Sequence, residues 1–304
     1  RMSPGERREW LRSRLQCGPL VLAPGVFDAL SARLVERCGF EAVYASGGAI
    51  ARSLGFPDLG LVTQTEVADV LRRICQATSL PVVADADTGY GGPLNVRRTV
   101  QEWERAGVAA LHLEDQTLPK RCGQYAGISL VSREEMSARL RAALDARSEG
   151  VVLIARTDAR AVEGLEGALH RAEAYAEAGA EVLFVQGLTT LDEVRHVARR
   201  IPRPLMVNVP PGARWSVAKL EEAGCRLAIY PGELQRAALA AMRAAARSIH
   251  EFGFVDGVAL ASQEERDALV NTSDWRALAD RAEGAEGQSL PSGTSGRGEG
   301  EGDF

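Results

Sequence analysis

From Leu20 to Tyr230 the chain repeats one pattern: a short β-rich run, then a segment with helical apolar spacing. The strand-like runs are 20–23, 42–45, 82–87, 110–114, 151–156, 182–185, 205–208 and 227–230. Between them, the stretches 67–77, 96–106, 136–146 and 165–178 place apolar residues at helical intervals. Several helical stretches end in Ala-Gly, at Gly107, Gly179 and Gly224, where a glycine cap is expected. Strands alternating with helices imply parallel pairing through right-handed crossovers. Eight such units within roughly 230 residues predict an α/β fold, a (β/α)₈ TIM barrel. An open doubly wound sheet is the alternative; no G-x-G-x-x-G or phosphate loop follows the first strand to support it.

No internal boundary rich in Pro, Gly or Ser interrupts the pattern, so residues 18–250 read as one barrel domain. Residues 1–17 form a basic, mildly amphipathic segment without a secretory apolar core, which reads as a surface helix. The opening Arg1-Met2 suggests a trimmed product. A helical extension is expected over 251–283. The Gly-, Ser- and Glu-rich tail, 284–304, has too little apolar surface to repay its ordering entropy and is expected to be disordered.

Composition excludes several classes. With 45% hydrophobic residues, 25% charged and a net charge of −5, the 304-residue chain has ordinary globular composition. Neither that charge nor any basic run suggests a nucleic-acid partner. No apolar run nears the ~20 residues of a membrane span. Five scattered cysteines favour reduced thiols and an intracellular place, cytoplasmic or, alternatively, the mitochondrial matrix.

In a barrel of this kind the chemistry gathers where strands end. Val82-Val83-Ala84-Asp85-Ala86-Asp87-Thr88-Gly89-Tyr90-Gly91 sets two aspartates one residue apart at the end of a buried run. Alternation along a strand would aim Asp85 and Asp87 at one spot. Two carboxylates so placed need a proton or a cation between them, and Mg²⁺ (or Mn²⁺) suits a site with few protein oxygens. Helix-capping or hydrogen-bonded aspartates at a strand end are the bland alternative. Other strand ends supply Ser46-Gly47-Gly48, His112 with Glu114, Arg156-Thr157-Asp158, Gln186 and Asn208. Ser46, Gly47 and Gly48 offer a hydroxyl and open amides to a carboxylate, or form a tight turn. Arg156 offers a fork matched to a carboxylate, or pairs with Asp158 or Glu114. Asp58 leans over the metal or makes a turn. Tyr44, just ahead of the Ser-Gly-Gly run, joins Gly123 in the expected substrate-binding set.

The loop Pro119-Lys120-Arg121-Cys122-Gly123-Gln124 puts a thiol beside two cations, where its pKa should fall and suit proton exchange. An idle exposed cysteine is the alternative.

These motifs, from about Pro24 to Tyr230, resemble the isocitrate lyase and phosphoenolpyruvate mutase superfamily, in its methylisocitrate lyase-like branch. The carrying stretches are Gly25 to Ala32, Ala84 to Gly91, His112-Leu113-Glu114-Asp115-Gln116, Pro119 to Gly123 and Ile154 to Ala159. The resemblance implies a homotetrameric barrel that uses Mg²⁺ to stabilise an α-keto acid enolate. It implies that Asp85 and Asp87 hold the metal, that Ser46, Gly47, Gly48 and Arg156 bind a substrate carboxylate, and that Cys122 is the acid of a carbon–carbon lyase. Glu114-Asp115-Gln116 with Cys122 is nearer the lyases than the mutases and hydrolases, which typically carry Glu-Asp-Lys. Three positions depart from the family pattern: Gln124 replaces a histidine, Gln186 a glutamate, and Pro210 to Trp215 a Gly-Lys-Thr-Pro-type loop.

The expected reaction is retro-aldol cleavage of a 2-hydroxy di- or tricarboxylate, with Cys122, Arg156, Glu114 and His112 as the catalytic set. A pocket lined by Gln124, Gln186 and Trp215 would choose the substrate. An oxaloacetate-type decarboxylase, phosphorus–carbon chemistry and a non-catalytic dicarboxylate-binding barrel remain open from sequence.

Overall fold

The computed structural model describes residues 2–123 and 125–286, so the expectations for Gln124 and for a tail over 287–304 lie outside the described residues. Eight parallel strands close on themselves in chain order: β1 (Val21–Val26), β2 (Val43–Ala45), β3 (Val82–Asp85), β4 (Ala110–Glu114), β5 (Val152–Thr157), β6 (Val182–Val185), β7 (Leu205–Asn208) and β8 (Cys225–Tyr230). Strand β8 pairs back to β1, with Val21 opposite Leu227. The fold is the predicted (β/α)₈ barrel, and the open sheet is excluded.

The helices are α1 (Pro4–Cys17), α2 (Ala29–Arg37), α3 (Gly47–Ser53), α4 (Gln64–Ala77), α5 (Pro93–Ala106) and α6 (Arg133–Ala146), then α7 (Arg160–Glu177), α8 (Leu191–Arg200), α9 (Val217–Glu222) and α10 (Glu233–Phe252). Their ends follow local chemistry. Thr63 and Glu66 cap the start of α4 reciprocally. Gly107, Gly179 and Gly224 adopt φ of 98°, 107° and 91°, the left-handed conformation expected after Ala-Gly. This unit runs to Val258; from Ala259 a second unit holds α11 (Gln263–Leu269) and α12 (Thr272–Glu286). Residues 284–286, read from sequence as tail, belong to α12.

Period-two alternation divides the strand residues between two cores. Val43, Ala84, Leu111, Leu153, Leu183 and Val207 face outward and pack under the helices. Val21, Val83, Ala110, Val152, Val182 and Leu227 point into the barrel. Along that inner stripe the residues change from apolar to polar towards the strand ends: Ala110, His112, Glu114 on β4, and Val152, Ile154, Arg156 on β5. This change of polarity along the stripe builds the site.

Helix α1 corrects the expectation of a surface helix. Leu11 and Leu15 are fully buried and join the inner cluster, closing the end of the barrel opposite the site. Burying each is worth roughly 1.5–3 kcal/mol. Arg8, also buried, donates to the carbonyls of Glu104, Val108 and Glu149 and pairs with the Glu149 carboxylate at 2.6 Å. The basic residues that suggested solvent instead satisfy the carbonyls at the base of the barrel.

Candidate active site

Strand β3 ends at Asp85, two residues earlier than expected, because Asp87 has φ of 46° and has left the extended conformation. Asp87 therefore reaches the site through a left-handed turn rather than by strand alternation. Tyr90, in the same turn, has φ of 62°. Non-glycine residues held there cost about 1–3 kcal/mol each, strain that tertiary contacts must over-determine. Asp85 helps by accepting the Asp87 amide at 2.9 Å, so the hydrogen-bonded strand-end role weighed from sequence is present too. The Trp103 indole donates to the Asp85 carbonyl at 3.1 Å and fixes the strand end from outside.

Glu114, from β4, joins the pair: one oxygen from each of Asp85, Asp87 and Glu114 lies within 4.8 Å of the others. Glu114 Oε1 is buried without a partner, while Glu114 Oε2 and Asp87 Oδ1 meet the charges of Arg156 and Lys120. Burial, opposed by Lys120 and reinforced by Asp85, pushes the Asp87 carboxyl up to about 6. Burial, opposed by Arg156 and reinforced by Asp158, drives Glu114 well above the carboxylate range. Buried carboxylate oxygens converging at that separation, with Glu114 Oε1 left unpartnered, fit a hard divalent cation, whose oxygen ligands about 2.0–2.1 Å away also lie a few ångströms apart. The donor set is all oxygen, which suits Mg²⁺ or Mn²⁺.

Below this triad, Tyr44 and His112 form a floor. The Tyr44 hydroxyl lies 2.9 Å from His112 Nε2 and 3.4 Å from Asp85 Oδ2, and His112 Nδ1 is 3.6 Å from Asp85 Oδ1. Phe184 meets the imidazole edge-on. Burial, with Arg156 adding to it, lowers the His112 pKa to about 3, so the ring is neutral. Tyr44 lines the cavity above, whereas His112 is not among the lining residues.

One lip of the cavity is the loop after β4. Lys120 Nζ bridges Asp58 Oδ1 at 2.5 Å and Asp87 Oδ1 at 2.6 Å. Desolvation alone would discharge this amine, but Asp87, Glu114, Asp85 and Asp58 outweigh it and hold the ammonium charged. The Arg121 guanidinium reaches the Ala126 carbonyl at 3.3 Å. The two cations beside Cys122 in sequence are thus committed elsewhere. Cys122, half-buried in the cavity wall, hydrogen-bonds the Asp58 carboxylate, and its amide donates to the Asp58 carbonyl at 3.2 Å.

Arg156, against Gly123 of this loop, meets both partners weighed from sequence. Nε and Nη2 donate to Asp158 at 3.0 and 2.9 Å, and Nη1 lies 3.0 Å from Glu114 Oε2. Ser46 caps α3, so the Ser-Gly-Gly run opens a helix instead of a tight turn, and the Gly47 and Gly48 amides have no intrahelical acceptor. Close approach explains the glycines. A Cβ at Gly47 would lie 2.7 Å from Asp85 Oδ2, and one at Gly123 2.5 Å from Arg156 Nη2.

These groups enclose a cavity of about 480 Å³ that also takes in Gln186 and Asn208, joined through their amides at 3.5 Å. From the altered loop after β7, Pro211 lines it; Trp215 packs into the strand–helix core instead, so Trp215 does not shape the pocket as expected. Arg52 and the first turns of α10, with Glu233, Gln235 and Arg236, complete the mouth. Sequence reading passed over these residues, because a charged residue on a regular helix gives no sign of which cavity it borders.

Fold and site together define a TIM-barrel enzyme with its polar groups at the C-terminal mouth. Residues 11–250 match the phosphoenolpyruvate phosphomutase family, and the chain belongs to it, within the isocitrate lyase and phosphoenolpyruvate mutase superfamily. It is 42% identical over 286 residues to a 2-methylisocitrate lyase of Aeropyrum pernix, covering 88% of this chain and 92% of that one. A 2,3-dimethylmalate lyase of Eubacterium barkeri is 43% identical over 226 residues, 73% and 78% of the two chains. The structure of an oxaloacetate acetylhydrolase with 3,3-difluorooxalacetate superposes with a TM-score of 0.87 at 33% identity, covering 95% of this chain and 100% of that one. The chain is a carbon–carbon lyase of this superfamily, which sets aside the non-catalytic barrel.

Proposed function

We propose that the enzyme cleaves a 2-hydroxy di- or tricarboxylate of the 2-methylisocitrate kind into an α-keto acid and a second carboxylate by retro-aldol chemistry. One observation carries this reading: Asp85, which clusters with Asp87 and Glu114, lines the same cavity as Arg156 and Cys122. Asp85 and Asp87, with Glu114, would hold Mg²⁺, or Mn²⁺ in its place. When bound, the ion supplies Lewis acidity, polarising substrate oxygens and offsetting negative charge as it develops.

The chain's own groups do the rest. Arg156 and the Gly47 and Gly48 amides, with Ser46, anchor a carboxylate and stay in place while charge develops. Tyr44 and His112 steady Asp85 from below. Gly123 lets the lip approach Arg156, and Gln186 and Asn208 present neutral amides to the distal part of the substrate. Cys122, held by Asp58, protonates the departing carbon where the carbon–carbon bond breaks. Lys120 keeps Asp58 and Asp87 ionised.

A homo-oligomer, tetrameric by family resemblance, is part of the proposal; α10 supports it by exposing Leu239, Met242, Ile249 and Phe252. Five free thiols suit a reducing compartment, here the cytoplasm. No described helix is long and apolar enough to cross a membrane.

The test is a panel of 2-methylisocitrate, 2,3-dimethylmalate, oxaloacetate and phosphonopyruvate with Mg²⁺, followed for α-keto acid, oxalate and phosphate. Release of pyruvate from a 2-hydroxy acid supports the proposal. Turnover confined to oxaloacetate or phosphonopyruvate sinks it.

A further inference from the structure

Behind Arg156 lies a chain of buried groups that touches nothing in the cavity. Asp115, fully buried, accepts the Asp158 amide at 2.9 Å, the Thr157 hydroxyl at 2.7 Å and the Tyr175 hydroxyl at 2.8 Å. Tyr175 lies on α7 with Arg171, whose Nη1 reaches the Val131 carbonyl at 2.8 Å and the Tyr175 oxygen at 3.2 Å. Glu163 pins the far side of that guanidinium at 2.7 and 2.9 Å. Asp115 thus fixes the backbone and side chain at the exit of β5, the point from which Asp158 projects.

Asp158 in turn grips Arg156 side-on, through Nε and Nη2. Glu114 Oε2 lies 3.0 Å from Nη1 as an ion pair, without hydrogen-bond geometry. A guanidinium has five N–H donors, and the hydrogens of Nη1 and Nη2 that face away from Asp158 form its end-on fork. Neither Asp115 nor Asp158 nor Tyr175 lines the cavity, so none is placed to contact substrate.

The geometry points to Asp158 as a positioning residue that turns the end-on fork of Arg156 towards the substrate carboxylate, with Asp115 and Tyr175 as its support from α7. A guanidinium gripped on one edge by a charged acceptor cannot rotate about its last bonds. Its remaining donors therefore meet a carboxylate without first losing side-chain freedom. Glu114 alone, a single contact, would leave the fork free to pivot. The inference rests on Arg156 binding carboxylate, as proposed above.

The experiment measures two affinities on the full chain by calorimetry: Mn²⁺ alone, and oxalate in the presence of Mg²⁺. Asp158→Asn keeps the shape but surrenders the charged grip, and should weaken oxalate about tenfold. Tyr175→Phe removes one distant hydroxyl and should weaken it about threefold. Mn²⁺ affinity should stay within about twofold of the parent in both, because the metal-ligand carboxylates are untouched. Arg156→Lys serves as the reference. If it leaves oxalate binding unchanged, the role of Arg156 in the proposed function is wrong. If it abolishes binding while Asp158→Asn and Tyr175→Phe bind oxalate normally, positioning is wrong. Parallel loss of both affinities would show general structural damage and also overturn it. Should Asp158→Asn not fold, Tyr175→Phe decides the matter by the same criteria.

Discussion

Cys122 and Asp58, far apart in sequence, are fastened twice: the Cys122 amide donates to the Asp58 carbonyl at 3.2 Å, and the thiol to the Asp58 carboxylate. The loop after β4 is thereby tied to the segment after α3, and the sulfur is held in the cavity wall beside Gly123. A proton donor needs this fixity, since transfer demands hydrogen-bond reach before any matching of acidity.

Replacing that sulfur by oxygen should therefore separate chemistry from binding. Cys122→Ser retains a donor for Asp58 but holds its proton far more tightly, and turnover should drop about 10²- to 10⁴-fold. Mg²⁺ and oxalate binding, followed by calorimetry, should stay within about threefold. Normal turnover would remove the thiol from the reaction.

Glu114→Gln or Asp87→Asn takes one cation-ligating oxygen out of a crowded, buried cluster. In metal-free buffer Glu114→Gln should nearly match the parent in thermal stability, because burial already favours the neutral form of Glu114, whereas Asp87→Asn, which leaves Lys120 short of a partner, should lose about 3–5 kcal/mol. Saturating Mg²⁺ should raise the parent's stability, by about 2.7 kcal/mol at a hundred times Kd, and leave the variants' melting unchanged. Thermal melts with and without the ion decide it.

The same cluster predicts how cation binding depends on pH. The Asp87 carboxyl, pushed up to about 6, is partly protonated in mildly acidic solution, and a cation must displace that proton. Affinity for Mn²⁺ should be nearly flat above pH 7 and fall as pH drops through 6, by up to about tenfold per unit for each proton displaced. Calorimetry in buffers of differing ionisation heat would count the protons released.

His112 has the opposite consequence, for stability. Its folded pKa of about 3 lies below the 6.5 of an unfolded histidine, so the unfolded chain binds more protons between those values. The contribution of the neutral ring is complete above 6.5 and is lost as pH falls towards 3, at up to about 1.4 kcal/mol per unit. Denaturant titrations of metal-free protein should show His112→Asn losing less stability than the parent between pH 6.5 and 4.

At the closed end of the barrel, Leu11→Ala should lower stability by about 2–5 kcal/mol, since α1 seals the inner core there. A change under about 1 kcal/mol in a denaturant titration would return α1 to the surface role suggested by its charges.

The eight strands and the inward stripe on each could be read from residue order because alternation is a property of neighbours. Asp85, Glu114, Arg156, Gln186 and Asn208 fall on that stripe, so their convergence follows once the strands close into a barrel. Alternation would bring Asp87 beside Asp85, but the strand ends before it, and a strained turn delivers its carboxylate. The cations beside Cys122 show the opposite failure. Adjacency in sequence suggested that they act on the sulfur, but Lys120 extends to Asp58 and Asp87, and Arg121 to a backbone carbonyl.

Sequence by itself determined the barrel, the order of its strands and the acidic and basic groups at its mouth, all of which rest on periodicities of two and 3.6 residues. Tertiary structure alone decided that α1 closes the base, that Lys120 joins two carboxylates, that Asp115 and Tyr175 stand behind Arg156, and that α10 borders the cavity. Each of those depends on where a long or buried side chain points relative to a segment distant along the chain. No local periodicity carries that information, because it is set by packing and by the need of buried polar groups for partners.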